Sequence, residues 1–591
     1  MEEIAVRIQP RQQLLDLWQA TARASFRDGE WIAGGNSISD AEQLLCIMAP
    51  ATQIPLFRLD RPDTVAGDVL EKLRSLGDNL QIPVRLIRAL TAYVDRYTAP
   101  DGTPLFAGGG YFRSGVPDEE VKRAQRDLDV VDSFAISVTL MLAIAGFVKI
   151  FREVLTRPAL LEEVESLERK ANRRLTAALT GLLRSFAVNV FRADSDFGRE
   201  LIRTVNQERR PVHQVVEELQ AALREVNARL RDDVTIGSGA AEGNELDSPN
   251  RLFECGWSWG VVRDAPEIET RAEIGAQKPG VAQNAPYLYF TSVALDAIQE
   301  LSSERTRLLG LLDPEQARLA QSLQLRFELT RSYWATLATF GSGRWPLEDL
   351  PWRTTDGIEA DYFSLLVGGM VLQNMQTTRM PDHEGRRIAH VFADIAARAY
   401  ITRRSIEPPR EFDARFALEG SEDVGGPTLA WTVADLAPTL LRRTLHLIPM
   451  LADDVARGRA FDLSEAIWAH LRSRVITDGP DEVPWHHAKR AVDCLVAAAR
   501  LIEETPPPND LLGQIAESLL NEADHLYDRE LLNGTTIRGQ ALRVELDRIG
   551  AELHRARSVS PQRPGTAVAI AEEVLRRLDR LSAARRADSG W

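Results

Sequence analysis

Apolar residues recur with the period of an α-helix along most of this 591-residue chain. In residues 212–230 the apolar positions are separated alternately by four and three residues, and residues 161–186 show a similar spacing. Such spacing places the apolar side chains along one side of each helix. The sequence therefore predicts two long helices that pack on each other through an antiparallel turn, or on a partner chain. We expect packing within the chain and a monomer or weak dimer. The apolar positions are Val212, Val216, Leu219, Leu223, Val226 and Leu230 in one segment, and Leu167, Ala171, Leu175, Ala178, Leu182 and Phe186 in the other.

The helical pattern continues through the second half of the chain. No segment alternates between apolar and polar residues for the length of a strand, and no repeat of fixed length occurs. The sequence therefore predicts a multi-helical, all-α fold. Further helices are predicted over residues 287–301, 314–340, 362–375, 386–403, 463–475, 486–504, 510–532, 537–557 and 566–586.

The clearest boundary in the chain is residues 235–250, TIGSGAAEGNELDSPN, which are small, polar and acidic without periodicity. Such a composition is typical of a linker. It predicts two helical halves joined by a polar connection. Within them we expect an N-terminal helical unit with Gly/Pro loops (1–117), a bundle of long helices (118–234), a Trp-rich helical domain (251–505) and C-terminal helices (509–591).

Residues 133–148, SFAISVTLMLAIAGFV, are uncharged and lie between Asp132 and Lys149. As a helix this run is about 24 Å long, which is shorter than the roughly 30 Å hydrocarbon core of a membrane. The sequence therefore favours a helix buried inside a large domain over one that contacts a membrane.

Composition narrows the class of protein. The net charge of −15 argues against a general nucleic-acid binder, which needs a basic face. Cys46, Cys255 and Cys494 are too far apart for a disulfide framework or the paired spacing of a zinc site. The N-terminus lacks a basic stretch followed by an apolar one, as a secretory signal would have. We therefore expect a cytoplasmic protein.

No catalytic motif is present to indicate a reaction. His390 and Asp394 share a helix face but do not form the HExxH spacing. A nucleophile elbow with a strand to hold it is absent. The sequence predicts neither a metal nor a cofactor, and it identifies no catalytic residue.

Tryptophan is concentrated in one part of the chain. Five of the eleven tryptophans lie between Trp257 and Trp352, and four of these five lie in the predicted loops CGWSWG (255–260) and GSGRWPLEDLPWRTTDG (341–357). Binding residues are often found on loops held by a rigid scaffold. This region is therefore the candidate binding site.

Within this site, a helix is predicted to begin near Glu359 or Asp361, after the loop that contains Arg353 and Asp356. Free N–H groups at a helix start attract anions, and a neighbouring arginine adds a charge-assisted contact. The aromatic walls would be Trp345 and Trp352 on one side and Trp257 and Trp259 on the other. The alternative is that the tryptophans plug the ends of a helical assembly and Arg353 pairs internally with Asp356 or Asp361.

The segments LFECGWSWGVV (252–262), APYLYFTSVALDAI (285–298) and RWPLEDLPWRTTDG (344–357) resemble those of uncharacterised large helical proteins of actinobacteria. This resemblance implies a context of conflict or signalling genes, and it implies no activity. The helices that bear Tyr and Trp also resemble those of α/α toroids, in which helix pairs surround an aromatic-lined cavity.

The sequence thus predicts a non-enzymatic helical scaffold or sensor that binds a protein partner or a small ligand through the Trp/Arg loop region. The alternative is an α/α-type enzyme with an aromatic-lined pocket, in which Asp356 or Asp361 acts as general acid or base.

Overall fold

The computed structural model of the chain describes residues 8–233, 250–377, 381–402, 413–475, 485–504, 509–534 and 540–588. Most of these residues are helical, which confirms the predicted all-α class. The helices are α1 (Pro10–Ser25), α2 (Ser37–Gln53), α3 (Gly67–Lys72), α4 (Gln81–Arg96), α5 (Arg123–Arg126), α6 (Val131–Val154), α7 (Pro158–Arg184), α8 (Asp196–Val205), α9 (Val212–Ala222), α10 (Arg224–Asp233), α11 (Leu288–Leu301), α12 (Glu304–Leu309), α13 (Pro314–Ala338), α14 (Asp361–Met375), α15 (Asp382–Arg398), α16 (Leu436–Leu447), α17 (Asp454–Val475), α18 (Trp485–Glu504), α19 (Asn509–Gly534), α20 (Gln540–Val559) and α21 (Pro564–Asp588).

Short antiparallel strands accompany the helices. Strands β1 and β2 pair with each other, as do β4 with β5 and β6 with β7, while β9 lies between β3 and β8. The strands are β1 (Phe26–Arg27), β2 (Glu30–Trp31), β3 (Arg113–Ser114), β4 (Phe186–Arg192), β5 (Arg251–Trp257), β6 (Trp352–Arg353), β7 (Glu359–Ala360), β8 (Ala414–Leu418) and β9 (Leu429–Val433).

Strand β5 corrects the prediction that residues 255–260 form a loop. Cys255, Gly256 and Trp257 belong to this strand and pair with β4. The register of the whole pair runs from Phe186 opposite Trp257 to Arg192 opposite Arg251. Six of the seven residues of β5 are buried, so both faces of the strand pack inside the protein. A strand buried on both faces lacks the apolar–polar alternation by which strands are recognised.

The two strands of this pair lie on either side of the predicted linker. Residues 235–249 of that linker are outside the described residues, as are residues 505–508 between α18 and α19. One core cluster includes buried residues from both sides of the linker, from Leu14 in α1 to Leu501 in α18. Helices α19, α20 and α21 pack on one another around a cluster of their own.

The row of apolar residues predicted over residues 212–230, here called the seam, packs within its own chain. The predictions of a single helix and of its packing partner are wrong. The segment divides at Leu223 into α9 and α10, with α10 packed on α13 and α9 on α8. Val212 is exposed, whereas the other five seam residues are buried. Strand β4 and helix α8 lie between α7 and α9 in the chain, so no antiparallel turn joins the two long helices. Helix α7 packs instead on α4, α6 and α13.

The apolar run 133–148 lies within α6, which is buried as predicted. Among the described helices, α6 is the one that is long and apolar enough to span a membrane, and 83% of its most apolar window is buried inside the protein. Helices α2, α7 and α11 pack around it. Helix α6 is therefore a core helix, and its burial among these three helices explains its apolar composition.

We expect Leu140→Arg in α6 to unfold the protein. Leu140 is fully buried, and an unpaired charge at such a position is among the few substitutions that cost more than about 4 kcal/mol. Soluble yield and urea unfolding measure the effect. Glu153→Arg, which places the same side chain at an exposed position of the same helix, is the control and should change stability little. Equal unfolding midpoints for the two variants would contradict the core position of α6.

Candidate functional site

The first two tryptophans of the predicted site are occupied in packing. Trp257 and Trp259 are almost completely buried. The indole N–H of Trp257 donates to the carbonyl of Leu182 at 2.8 Å, and that of Trp259 donates to the carbonyl of Glu419 at 3.0 Å. Buried indoles commonly satisfy their N–H in this way. These two side chains therefore tie β5 and the residues after it to α7 and to the residue that follows β8.

The other two tryptophans lie in the hairpin region before α14 and are also buried. The guanidinium of Arg387 lies over the Trp345 ring, 3.9 Å from its centroid. The backbone N–H of Trp352 donates to Ser364 Oγ at 2.7 Å. Both tryptophans thus anchor the segment 341–357 on α14 and α15.

The charged residues of the predicted site have partners other than those expected. Arg353 pairs with Glu200, at 3.2 Å between Nη1 and Oε2, and with Glu359. Asp361 accepts from Arg398 Nε at 2.8 Å. An internal pairing of Arg353 is therefore present, but the expectation that Asp356 or Asp361 provides it is wrong.

Asp356 lies in the turn between β6 and β7, where its Oδ1 accepts from the Thr354 hydroxyl. The next residue in this turn, Thr355, donates from Oγ1 to Glu254 Oε2 at 2.8 Å. This contact brings the Trp352–Asp356 hairpin onto β5 at Glu254, one residue before Cys255 and three before Trp257. The structure thereby joins the two predicted loops through a residue that sequence reasoning missed.

Glu254 is 6% exposed. Burial, together with the nearby Asp356 carboxylate, raises the pKa of Glu254 to about 8. A single glutamate in the apolar run LFECGW carries no motif, so nothing in the sequence distinguishes it.

The long irregular segment that follows Val262 is a second feature missed by the sequence analysis. Residues 263–281 form neither helix nor strand. Ordered connections of this length without secondary structure are uncommon in compact domains and are usually functional. Such a segment must be held in place by contacts with the rest of the protein.

Arg184, the last residue of α7, holds this segment. Its side chain is buried, with the residue 4% exposed. It donates to three backbone carbonyls: Nε to Pro266 at 3.1 Å, Nη1 to Lys278 at 3.0 Å and Nη2 to Ala265 at 3.1 Å. Burial lowers the pKa of Arg184, and the three acceptors compensate for the water that the guanidinium loses.

Arg174, ten residues earlier in α7, holds a different loop in the same manner. It is fully buried and donates to the carbonyls of Tyr97 and Leu105, each at 3.0 Å. Its guanidinium also lies over the Phe106 ring, 4.6 Å from the centroid. Arg174 thus fixes both ends of the loop that contains Asp101.

Between the loop fixed by Arg174 and the segment fixed by Arg184 lies a cleft of about 480 Å³. The walls approach closely at Gly275, whose φ is +81° and whose Cβ would stand 2.1 Å from Thr103 Oγ1. The Ala276 N–H donates to this same hydroxyl at 3.3 Å. The cleft is lined by Asp101, Gly102, Arg173, Ile268, Thr270, Arg271, Ala272, Glu273, Ile274, Gly275 and Gln277.

A second cavity, beside Leu219 and Phe253, has a volume of about 20 Å³. Such a volume holds about one water molecule. It is too small for a ligand.

A charged cluster also lies inside the helical core, on the inner face of α18. His486 Nδ1 is 2.7 Å from Glu42 Oε1, and its Nε2 is 3.8 Å from Asp435 Oδ2. Arg490 Nε lies 3.2 Å from the same Asp435 oxygen. The Tyr111 hydroxyl donates to Glu42 Oε2 at 2.6 Å. These contacts join α18 to α2 and to the start of α16.

The two carboxylates beside His486 raise the pKa of this histidine against the opposing effect of burial. A histidine held in its charged form is a poor general base near neutral pH. Glu42 and Asp435 are almost completely buried, and their contacts with His486 and Arg490 connect α2, α16 and α18. Among the described residues, no three His, Cys, Asp or Glu side chains are arranged to hold a metal ion.

These features define a class: a large, predominantly helical protein with a polar cleft whose walls are fixed by buried arginines. Residues 6–589 match the model of the SCO2524-like family, and the chain therefore belongs to this family. This match agrees with the resemblance to actinobacterial helical proteins drawn from the sequence. No match was found among curated proteins or among solved structures.

The raised pKa of Glu254 predicts how the stability of the protein depends on pH. The folded protein binds this proton more tightly than the unfolded chain, in which the pKa is near 4.5. The contribution of Glu254 is therefore fully present below pH 4.5 and is lost as the pH rises toward about 8. Glu254→Gln keeps an acceptor for Thr355 and removes this loss, so the variant should be more stable than the wild type at alkaline pH.

Urea unfolding across this pH range measures the difference between the two proteins. Glu225→Gln, at an exposed position of α10, is the control and should follow the wild-type profile. Parallel profiles for wild type and Glu254→Gln would show that Glu254 does not retain its proton in the folded protein.

Proposed function

We propose that the protein is a non-enzymatic helical sensor or scaffold that binds a small polar ligand in the cleft between residues 101–102 and 268–277. The observation that carries this proposal is the cleft itself. Its volume of about 480 Å³ falls in the range of roughly 300–1,000 Å³ typical of small-molecule sites.

The arrangement of the walls supports binding. Arg174 and Arg184 hold both walls before any ligand arrives. The Gln277 side chain also bridges its own segment, accepting from the Ile268 N–H at 3.1 Å and donating to the Ile268 carbonyl at 2.8 Å. A site whose walls are already ordered loses little conformational entropy when a ligand binds.

The lining favours recognition over proton transfer. The carboxylate of Asp101 accepts from the Thr103 N–H at 2.9 Å, and this contact lowers the pKa of Asp101. A carboxylate with a lowered pKa is a weak base and is not a proton donor near neutral pH. The Thr270 hydroxyl donates to the Ala272 carbonyl at 2.9 Å, so its hydrogen is already engaged.

The position of the cleft differs from that of the predicted Trp/Arg site. Because all four indoles are packed and both Arg353 and Asp361 are paired, we place the ligand in the cleft. Binding of a protein partner through the Trp/Arg loops, like the cytoplasmic location, stays a prediction.

One observation favours the enzymatic alternative at the Trp/Arg region. Glu254, with a pKa of about 8, can be protonated near neutral pH, and Asp356 is close enough to influence it; acid–base catalysis by two carboxyl groups requires such a pair. A hydrolytic activity of this kind would depend on both carboxylates, so Glu254→Gln and Asp356→Asn would each abolish it. An activity that persists in either variant would exclude this assignment.

The ligand-binding proposal is tested by filling the cleft. Glu273 and Glu269 are both exposed residues of the segment 263–281, and of the two only Glu273 lines the cleft. Glu273→Trp and Glu269→Trp therefore make the same change of charge and size inside and outside the cleft. Each purified protein is equilibrated by dialysis against a small-molecule extract of the host, and retained compounds are identified by mass spectrometry.

We expect the wild type and Glu269→Trp to retain the same compound, and Glu273→Trp to lose it by about tenfold or more, or roughly 1.4 kcal/mol. Retention of that compound by Glu273→Trp, or enrichment of none by the wild type, would argue against a ligand site in the cleft.

A further inference from the structure

We infer that the ligand of the cleft is a small organic anion whose phosphate or carboxylate group is held by Arg173 and Arg271. This inference rests on the proposed binding function of the cleft and adds the chemical class of the ligand.

Both arginines are exposed residues that line the cleft. In the part of the chain that the structure describes, no carboxylate lies within ion-pair distance of either guanidinium. Two cations facing one space repel each other, and an anion placed between them relieves this repulsion. The guanidinium group suits this task because its planar fork matches the oxygens of carboxylate and phosphate.

The backbone beneath each arginine is held firmly. Arg173 immediately precedes Arg174, which is fixed by its carbonyl acceptors. On the opposite wall, the N–H groups of Arg271 and Ala272 both donate to the Glu315 carboxylate, at 3.0 Å for Ala272. The two guanidinium groups thus extend from anchored backbone while their own donors stay available.

Gly102 provides the room that Arg173 needs. A Cβ at this glycine would stand 2.9 Å from Arg173 Nη1, and its φ of +87° is one that other residues rarely adopt. The guanidinium therefore lies directly against the bare backbone of the neighbouring loop that Arg174 holds.

The acidic residues of the cleft indicate which groups the rest of the ligand carries. Asp101 and Glu273 line the same space, and their carboxylates repel a ligand that is anionic throughout. They can accept hydrogen bonds from hydroxyl or amino groups. The lining therefore suits a molecule with one anionic end and several donors, such as a sugar phosphate or a hydroxy acid.

Matched probes separate the anionic group from the rest of the molecule. Glucose 6-phosphate is compared with glucose, and D-gluconate with D-gluconamide, by isothermal titration calorimetry at low salt. The proteins are the wild type, Arg173→Ala, Arg271→Ala and the double variant. Arg61→Ala is the control because Arg61 is exposed and does not line the cleft. Urea unfolding checks that each variant is folded.

We expect at least one charged probe to bind the wild type at least about tenfold more tightly than its neutral counterpart, and the double variant to lose at least about tenfold of that affinity. Binding of glucose 6-phosphate alone assigns the site to phosphate esters, and binding of D-gluconate alone assigns it to carboxylates. Equal binding of charged and neutral probes, unchanged binding by the double variant, or binding of neither charged probe at millimolar concentration overturns the inference.

The dialysis experiment distinguishes failure of this inference from failure of the proposed function. A compound that the double arginine variant retains and Glu273→Trp loses would show a ligand site in the cleft that does not recognise an anion. If Glu273→Trp also retains the compound, the cleft is not the site at all.

Discussion

The positions of the cleft walls depend on two buried arginines of α7 whose partners are backbone carbonyls. Burying a guanidinium without hydrogen bonds is costly, so each arginine fixes whatever backbone supplies its acceptors. Arg174 determines where the loop of residues 97–105 lies, and Arg184 determines where the irregular segment after β5 lies. Because both extend from one rigid helix, the separation of the two walls is set by α7. The cleft therefore results from the hydrogen bonds that Arg174 and Arg184 of α7 donate to backbone carbonyls.

Much of the fold could be predicted because helical periodicity follows directly from which face a helix buries. The core position of α6 followed from its uncharged composition, and most predicted helices lie within a few residues of those observed. Strand β5 could not be recognised, since its burial on both faces removes the alternation that marks a strand. The seam over residues 212–230 was read as one helix because its apolar spacing continues through Leu223, where the structure places a break.

The candidate site was harder to predict because its parts are distant in sequence. Asp101, Arg173 and Arg271 meet only through the tertiary fold, and no spacing rule connects them. Arg174 and Arg184 enclose the small, apolar run LTAALTGLL, and this placement was the available signal that they are buried. The concentration of tryptophan has packing as its physical cause: Trp257 and Trp259 position β5 and the start of the segment that forms one wall of the cleft.

Hydrogen exchange of the wall in Arg184→Met measures whether Arg184 holds this wall in place. Three N–H groups of the wall report on its opening: that of Ile268 donates to Gln277 within the wall, that of Ala272 to Glu315 of α13, and that of Ala276 to Thr103 of the facing loop. Removing the guanidinium leaves its carbonyl acceptors without a donor. Each carbonyl that stays buried and unpaired destabilises the folded wall by about 1–3 kcal/mol. We predict that these amides exchange at least about tenfold faster in Arg184→Met than in the wild type, whereas the amides of α7 keep their wild-type rates. In the control Arg192→Met, which changes an exposed arginine, the wall amides should exchange as in the wild type. Unchanged exchange across residues 265–278 in a folded Arg184→Met protein would contradict the account.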